Sequence, residues 1–269
     1  MSRLLLLLAC LVTVACKSHV PAGVLAGSAD ESGRFVAHYG PATPDFDDFR
    51  FGLIANRFLD TIAARLNDSL RIPRTIVLET AHCEEPNASY DSDTRRVTLC
   101  YELFKSLSER FARSPGGDYL VTGTAVFALM HELGHALVDV LELPITGREE
   151  DAVDQLATIL LLQQGAPGDS LAFGAVGWFV TNARHSVPDD LAFADDHGLD
   201  SQRVYNIICW IYARDPTRYP EIVTDGWLPE HRRDKCPAEF RRLDESWRRI
   251  LAPYRRASER LTPTSGAIP

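Results

Sequence analysis

The sequence predicts an α+β fold, with a small sheet in the first part of the chain and a mainly helical body after it. Two observations lead to this prediction. The runs "RTIVLET" (74–80) and "RRVTLCYE" (95–102) are rich in the β-branched and apolar residues of strands. Beyond about residue 120, apolar residues recur at the three- and four-residue spacing of helices. The chain has 269 residues, which is enough for one core of good size or two small ones.

The other elements follow from the same two periodicities. A strand is predicted within "GRFVAHYG" (33–40), and a helix from Asp47 or Asp48 to about residue 70. The polar stretch "PNASYDSD" (86–93) is predicted to be a turn. The later helices are predicted at about 121–142, 148–164, 169–184, 200–213 and 233–252.

The start of the chain predicts export. In "MSRLLLLLACLVTVACKS" one early cation is followed by an apolar run that ends at Cys16 and is too short to span a bilayer. "TVAC" resembles a bacterial lipobox, so residues 1–16 are predicted to be a signal peptide of the lipoprotein type, with lipidation of Cys16. Plain secretion after cleavage nearby is the alternative. A periplasmic location follows, with the membrane reached only through this lipid anchor.

The rest of the chain is predicted to form one folded domain between two irregular segments. Residues 17–32 are small and polar, as in a flexible tether, and residues 256–269 lack periodicity and are expected to be disordered. The zone between them, 33–255, carries the predicted elements. The chain is 45% hydrophobic and has a formal charge of −9, without the basic stripe of a nucleic-acid binder.

Export changes how the cysteines are interpreted. Outside the leader four remain, and an even number in an oxidising compartment indicates disulfides. Four cysteines allow three connectivities, and neighbourhood in sequence favours Cys83–Cys100 and Cys209–Cys236. A cysteine-ligated metal is disfavoured because no two of them have C-x-x-C spacing.

The stretch "HELGH" (131–135) carries the strongest chemical signal. On a helix, His131 and His135 project from one face one turn apart, so both imidazoles can reach one metal ion. Zn²⁺ suits nitrogen and oxygen ligands. Glu132 lies beside that face and could accept a proton from a water activated by the metal. Gly134 would allow a neighbouring element to pack closely. Two satisfied core histidines are the structural alternative.

A third ligand is expected from the helix that follows. Pro144 and Gly147 end the first helix and let the chain fold back. Glu150 and Asp154 lie about 40° apart on the next helix, on its apolar face, whereas Glu149 lies at the edge of that face. Glu150 is therefore the predicted third zinc ligand, and Asp154 the acceptor for the far ring nitrogen of a ligand histidine. Capping of the second helix is the alternative use of this pair.

The pattern H-E-x-x-H followed by E-x-x-x-D resembles the gluzincin branch of the zinc peptidases. The run from "NASYDSDTRRVTLCYEL" through "HELGHALVDVLELPITGREEDAVDQLAT" to "DDHGLDSQRVYNIICWIY" is similar to a domain-of-unknown-function family described as metallopeptidases. The resemblance covers about 33–255. It implies a zincin-like fold, a zinc ion and a peptide or protein substrate.

A further likeness assigns roles to "ADDHGLDSQRVYN". His197 and Arg203 have a spacing similar to a His-then-Arg pair that faces the substrate in CAAX-processing-type zinc peptidases. By that likeness His197 would bind the oxyanion, Asp195 or Asp196 would keep it protonated, and Arg203 would support it. Tyr205 is a competing donor, and a surface loop without a catalytic role is the alternative.

These observations leave three functions open. The first is a zinc-dependent peptidase outside the cytoplasm, with the 95–102 strand as a sheet edge that could pair with an extended substrate. The second is a non-catalytic protein of the same fold that binds peptides or partners in the envelope. The third is a zinc amidase that acts on cell-wall peptides. Glu132 favours catalysis, because binding zinc or peptide alone does not need that acid.

Overall fold

The computed structural model of the protein describes residues 33–185 and 190–256. The predicted signal peptide with Cys16, the predicted tether (17–32) and the predicted tail beyond Arg256 lie outside the described residues.

A four-stranded mixed sheet occupies the first part of the chain, as predicted. Its strands are β1 Phe35–Tyr39, β2 Ile76–Ala81, β3 Ala88–Asp91 and β4 Arg96–Cys100. The strand order is β1-β2-β4-β3, in which β1, β2 and β4 are parallel and β3 runs antiparallel to β4.

The structure corrects two details of this region. The stretch 86–93 was predicted to be a turn, but it contains β3, and the tight turn comes after it, where the Asp91 carboxylate accepts the N–H groups of Asp93 and Thr94. Because β3 pairs outside β4, the predicted edge strand is an inner strand and β3 forms the edge. Alternation alone cannot tell an inner strand from an edge strand.

The helical body follows the sheet. Its helices are α1 Asp47–Ala55, α2 Phe58–Ser69, α3 Tyr101–Phe111, α4 Gly117–Val140, α5 Glu149–Leu162, α6 Ala166–His185, α7 Asp190–Ala194, α8 Asp200–Arg214, α9 Glu221–Thr224, α10 Glu230–Arg233 and α11 Cys236–Leu251. The α+β class and the later long helices are confirmed. Helix α3 was not predicted, although its buried residues recur at helical spacing: Tyr101, Phe104, Leu107 and Phe111.

Helix α4 is the centre of the core and packs against the sheet, α3, α5 and α6. Within the described residues it is the one helix that is long and apolar enough to cross a membrane, but 67% of its most apolar window is buried in the protein. It is therefore the core helix of a folded domain. Its C-terminal half carries the "HELGH" motif.

Glycine at position 134 brings α5 close to α4. A Cβ atom on Gly134 would lie 2.7 Å from Cβ of Val153, which is too short for two carbon atoms. A larger residue would force the helices apart. The predicted close packing at Gly134 is confirmed, and it places the first turns of α5 beside the histidines of α4.

Two disulfides link elements around this core. Cys83 is bonded to Cys100 at the end of β4, and Cys209 of α8 is bonded to Cys236 at the start of α11. These are the two pairs that sequence neighbourhood favours. Both indicate an oxidising compartment outside the cytoplasm.

Candidate metal centre

The two histidines of the motif lie on one face of α4. The ring centroids of His131 and His135 are 5.1 Å apart. His131 is buried, and His135 is partly exposed. This is the arrangement expected for residues four apart on a helix.

Glu150, in the first turn of α5, brings its carboxylate to both rings. Its Oε2 atom lies 3.0 Å from Nε2 of His131, and its Oε1 atom lies 3.4 Å from Nε2 of His135. The structure thus brings together the three residues predicted from sequence as zinc ligands. Glu150 reaches them because Val153, one turn later, packs against Gly134.

The opposite ring nitrogens face two other acids of α5. Nδ1 of His131 lies 2.8 Å from Oδ1 of Asp154, and Nδ1 of His135 lies 2.7 Å from Oε1 of Glu149. Because an ionised carboxylate only accepts hydrogen bonds, each Nδ1 is the donor. In a neutral imidazole, Nε2 then carries the lone pair, as metal coordination requires.

His197 completes the cluster from the loop before α8. Its Nε2 atom is 3.0 Å from Oε2 of Glu150, and its ring stacks on that of His131 with the centroids 5.8 Å apart. Nδ1 of His197 lies 3.0 Å from Oδ1 of Asp195, which also accepts the backbone N–H of His197. Of the two predicted partners, Asp195 and Asp196, the first makes this contact.

The donor set fits a divalent metal. Ligand atoms of His131, Glu150 and His197 all lie within 4.8 Å of one another, and His135 adjoins them through Glu150. Oε2 of Glu150 is buried and, among the described residues, has no aligned hydrogen-bond donor, although two imidazole nitrogens lie 3.0 Å away. Lone pairs that converge on a carboxylate repel one another unless a proton or a metal cation lies between them, and nitrogen with oxygen is a donor set that Zn²⁺ accepts.

A family profile decides the classification, because it matches residues 39–251 and is described as "Putative metallopeptidase". The chain belongs to this metallopeptidase family. The resemblance seen in the sequence is thereby confirmed. No curated protein and no solved structure matches the chain significantly.

The charges of the candidate metal centre depend on one another. Burial disfavours the charged form of Glu150, but the surrounding His131, His135 and His197 lower its pKa far below the usual range. Burial likewise opposes protonation of His135, but Glu150 and Glu149 outweigh it and raise the pKa of His135 to about 9. In the metal-free protein, protons hold the positive charge that a metal would otherwise supply.

Glu132 stands apart from the ligand group. It is half-buried on α4, and burial raises the pKa of its carboxyl above the usual value despite the nearby histidines. A carboxylate with a raised pKa is a better proton acceptor at neutral pH. This is the property that a general base in the motif would need.

Arg203 lies on the buried side of the centre. Its Nε atom donates to Oδ2 of Asp154 and one terminal nitrogen donates to Oδ1, each at 2.7 Å. Its guanidinium lies 4.0 Å from the centre of the Phe179 ring. It was expected to support His197 near the substrate. Arg203, Asp154 and His131 lie in a row, so Arg203 holds the acid that contacts a histidine of the motif.

Two residues of this region make contacts that the sequence does not predict. Glu149 is not among the predicted ligands, and the sequence does not predict its contact with His135 Nδ1. Its place at the edge of the apolar face was the available signal. Arg148 had no signal, because its guanidinium donates to the carbonyl oxygen of Asp195 at 2.5 Å, 47 positions away. Tyr205, the competing donor, is 43% exposed and lines a separate polar pocket with His231.

Proposed function

We propose that the protein is a zinc-dependent peptidase that hydrolyses peptide bonds outside the cytoplasm. One observation carries the proposal: the Nε2 atoms of His131, His135 and His197 converge on the Glu150 carboxylate, while every Nδ1 atom is held by an acid. Such an arrangement stabilises a cation. Family membership makes hydrolysis of peptides the chemistry to test.

His131, His135 and Glu150 are the proposed zinc ligands. Zinc in such a site supplies a Lewis acid that lowers the pKa of a water molecule and polarises a peptide carbonyl. Asp154 and Glu149 keep the rings oriented, which holds Nε2 of each histidine toward Glu150. Three protein ligands would leave a position open for water and substrate.

Glu132 is the proposed general base and acid. Its carboxylate would take a proton from the attacking water and deliver it to the nitrogen of the leaving amine. Burial raises its pKa, which suits both steps better than a fully solvated glutamate would. The carboxylate must be ionised before the reaction, so activity should rise with pH through its pKa.

His197 is the proposed donor to the oxyanion. Contacts with Glu150 raise its pKa despite burial, which favours the protonated ring in the metal-free protein. Asp195 would hold that proton on Nδ1 and fix the ring in place. Nε2 would then donate to the oxygen that becomes negative during hydrolysis.

The free edge of β3 is the proposed place for an extended substrate. This replaces the 95–102 strand, which is internal. β3 packs against α4, and the Tyr90 hydroxyl donates to Asp139 Oδ2 at 2.6 Å. Asp139 follows His131 and His135 at four-residue steps along α4, so the edge and the metal ligands belong to one rigid unit.

The same geometry favours a second candidate, a non-catalytic metal protein. Nε2 of His197 is as close to Glu150 Oε2 as Nε2 of His131 is, at 3.0 Å. If His197 were a fourth ligand, the site would be closed, as structural zinc sites are. Substitution His197→Ala separates the two candidates. A peptidase should keep its zinc and lose about a hundredfold in turnover, whereas a structural site should lose its zinc.

Substitution Glu132→Gln tests the peptidase directly. Glutamine has nearly the same shape but cannot accept the proton, so turnover should fall by at least about 10²-fold while zinc content stays at one per chain. Cleavage of a peptide library, with zinc measured on the same samples, gives both results. Parent-like cleavage by Glu132→Gln would show that the proposed chemistry is wrong.

Export as a lipoprotein completes the proposal. The two disulfides support an oxidising compartment, and "TVAC" supports lipidation at Cys16. Expression of the full gene with metabolic labelling by a palmitate analogue should give a labelled protein, and Cys16→Ser should abolish the label. Secretion of unlabelled parent protein would indicate an ordinary signal peptide instead.

A further inference from the structure

A second site candidate lies away from the metal centre, in a cavity between α2 on one side and α4, α5 and α11 on the other. Its volume is about 410 Å³, within the range of small-molecule sites in proteins. Its wall includes Leu66 of α2, Met130 of α4, Leu156 and Ile159 of α5 and Trp247 of α11. His131, His135, Glu150 and His197 do not line it.

The cavity exists because α2 does not close on the helices opposite it. Leu66, Met130, Leu156, Ile159 and Trp247 are each no more than 8% exposed, so they belong to the core and not to a loose surface. Protein interiors are packed as densely as organic crystals, and apolar voids of this size are rare. Apolar cavities stay dry and bind apolar molecules when these are offered. An apolar ligand is therefore the natural occupant.

The charges around the cavity further restrict the chemical class of its ligand. Among the described residues three arginines line it, Arg65, Arg248 and Arg255, and no acid does, although the whole chain carries a formal charge of −9. All three are exposed at the surface, where long side chains keep their charge in water above an apolar wall.

The side chains of these arginines can still bind an anion. Arg65 lies 3.3 Å from the neutral Gln164 amide oxygen. Arg248 pairs with Asp244 one turn earlier on α11, which is an exposed contact of little strength. An anion at the mouth of the apolar cavity would lie in a local excess of positive charge.

We propose that this cavity binds a long-chain fatty acid, with the alkyl chain among the leucines of α2 and α5 and the carboxylate at the arginines of the rim. An apolar interior below a cationic mouth matches an amphiphile with one tail and one anionic head. The proposal does not depend on the peptidase activity, because a separate set of side chains forms the cavity.

Binding of palmitate to the delipidated full chain tests the proposal, with tryptophan fluorescence and calorimetry as readouts. We expect one palmitate per chain, and affinity that rises with chain length from the C8 to the C16 acid. Hexadecanol, which lacks the charge, should bind at least about tenfold more weakly than palmitate.

Two pairs of variants on α11 and the segment after it locate the head group. The double substitution Arg248→Gln with Arg255→Gln should weaken palmitate binding about tenfold. The matched control, Arg241→Gln with Arg249→Gln, removes two exposed charges of α11 that do not line the cavity and should leave affinity unchanged. Ile62→Trp should fill the cavity and abolish binding, with an unchanged urea-unfolding midpoint as the check on folding.

Several outcomes would overturn the proposal. These are absence of saturable binding, equal loss in both double variants, equal affinity for hexadecanol, or a preference for lysophosphatidic acid, which would point to a phospholipid. Palmitate binding that appears only after deletion of residues 257–269 would assign the cavity to the chain's own C-terminal segment.

Discussion

The two halves of the metal centre use the same hydrogen bond in opposite surroundings. In the inner half, His131 contacts Asp154, whose side chain is 9% exposed and is held in turn by Arg203. In the outer half, His135 contacts Glu149, whose side chain is 46% exposed. Both acids orient an imidazole, but only the inner one is also part of a buried charge network.

This difference separates two tasks that one helix performs. A buried charge that loses its partner cannot turn to water, so the row of Arg203, Asp154 and His131 should contribute to folding as well as to metal binding. An exposed acid that is lost is replaced by solvent, so Glu149 should affect the metal alone. Asp195, the partner of His197, is 56% exposed and belongs with the outer half.

The largest effect is expected from a substitution in the inner half. Asp154→Ala leaves the largely enclosed Arg203, whose side chain is 14% exposed, without its bidentate partner, and the free energy of unfolding of the metal-free protein should fall by about 3–5 kcal/mol. Glu149→Ala, as the matched control, should cost less than about 1 kcal/mol. Urea unfolding in the presence of a chelator measures both, and equal losses would contradict the division into halves.

A second prediction concerns pH, because protons and metal compete for the same nitrogens. The pKa of His135 is raised to about 9 in the metal-free protein, so the stability it contributes is complete below about pH 6.5 and is lost as the pH rises through about 9. Metal binding requires neutral imidazoles and gains by about 1.4 kcal/mol per pH unit for each proton displaced.

Thermal unfolding with and without a chelator, between pH 6 and 9, checks this sign. The stabilisation that zinc provides should increase with pH across this range. A stabilisation that is greatest at pH 6 would show that protonated histidines do not occupy the metal position.

Zinc affinity sharpens the comparison without unfolding the protein. Asp154→Asn should weaken zinc binding by about ten- to a hundredfold, as the loss of a partner to a ligand histidine does. Glu149→Gln should weaken zinc binding about tenfold or less, because water can accept the hydrogen bond from His135 in its place. Competition with a fluorescent chelator gives both constants. A greater loss for Glu149→Gln would reverse the assignment of the two halves.

The smallest effect is expected at Arg148, which acts through the loop that carries His197. Arg148→Ala removes its bonds to the carbonyl oxygens of Asp195 and His197, and turnover should fall about tenfold or less, with zinc content unchanged. Lysine at 148 should restore part of the loss, since it can still donate to one carbonyl. Loss of zinc from Arg148→Ala would show that the loop holds the metal directly.

Local pattern determined much of this protein. The "HELGH" spacing places His131 and His135 on one face of a helix in any fold that keeps the helix, and the periodicity of α5 turns Glu150 and Asp154 inward together. The α+β class, the family and the two disulfide pairs were also predicted correctly, because short-range periodicity and cysteine neighbourhood are properties of the chain itself.

Tertiary structure alone decided how distant segments meet. The loop with His197 reaches Glu150 because α8 folds back on α5, and Arg203 reaches Asp154 for the same reason. β4 lies inside the sheet because β3 pairs beyond it, and the cavity exists because α2 stands away from α5. Each of these depends on contacts between residues far apart in sequence, and such contacts leave no periodic signal in a single chain.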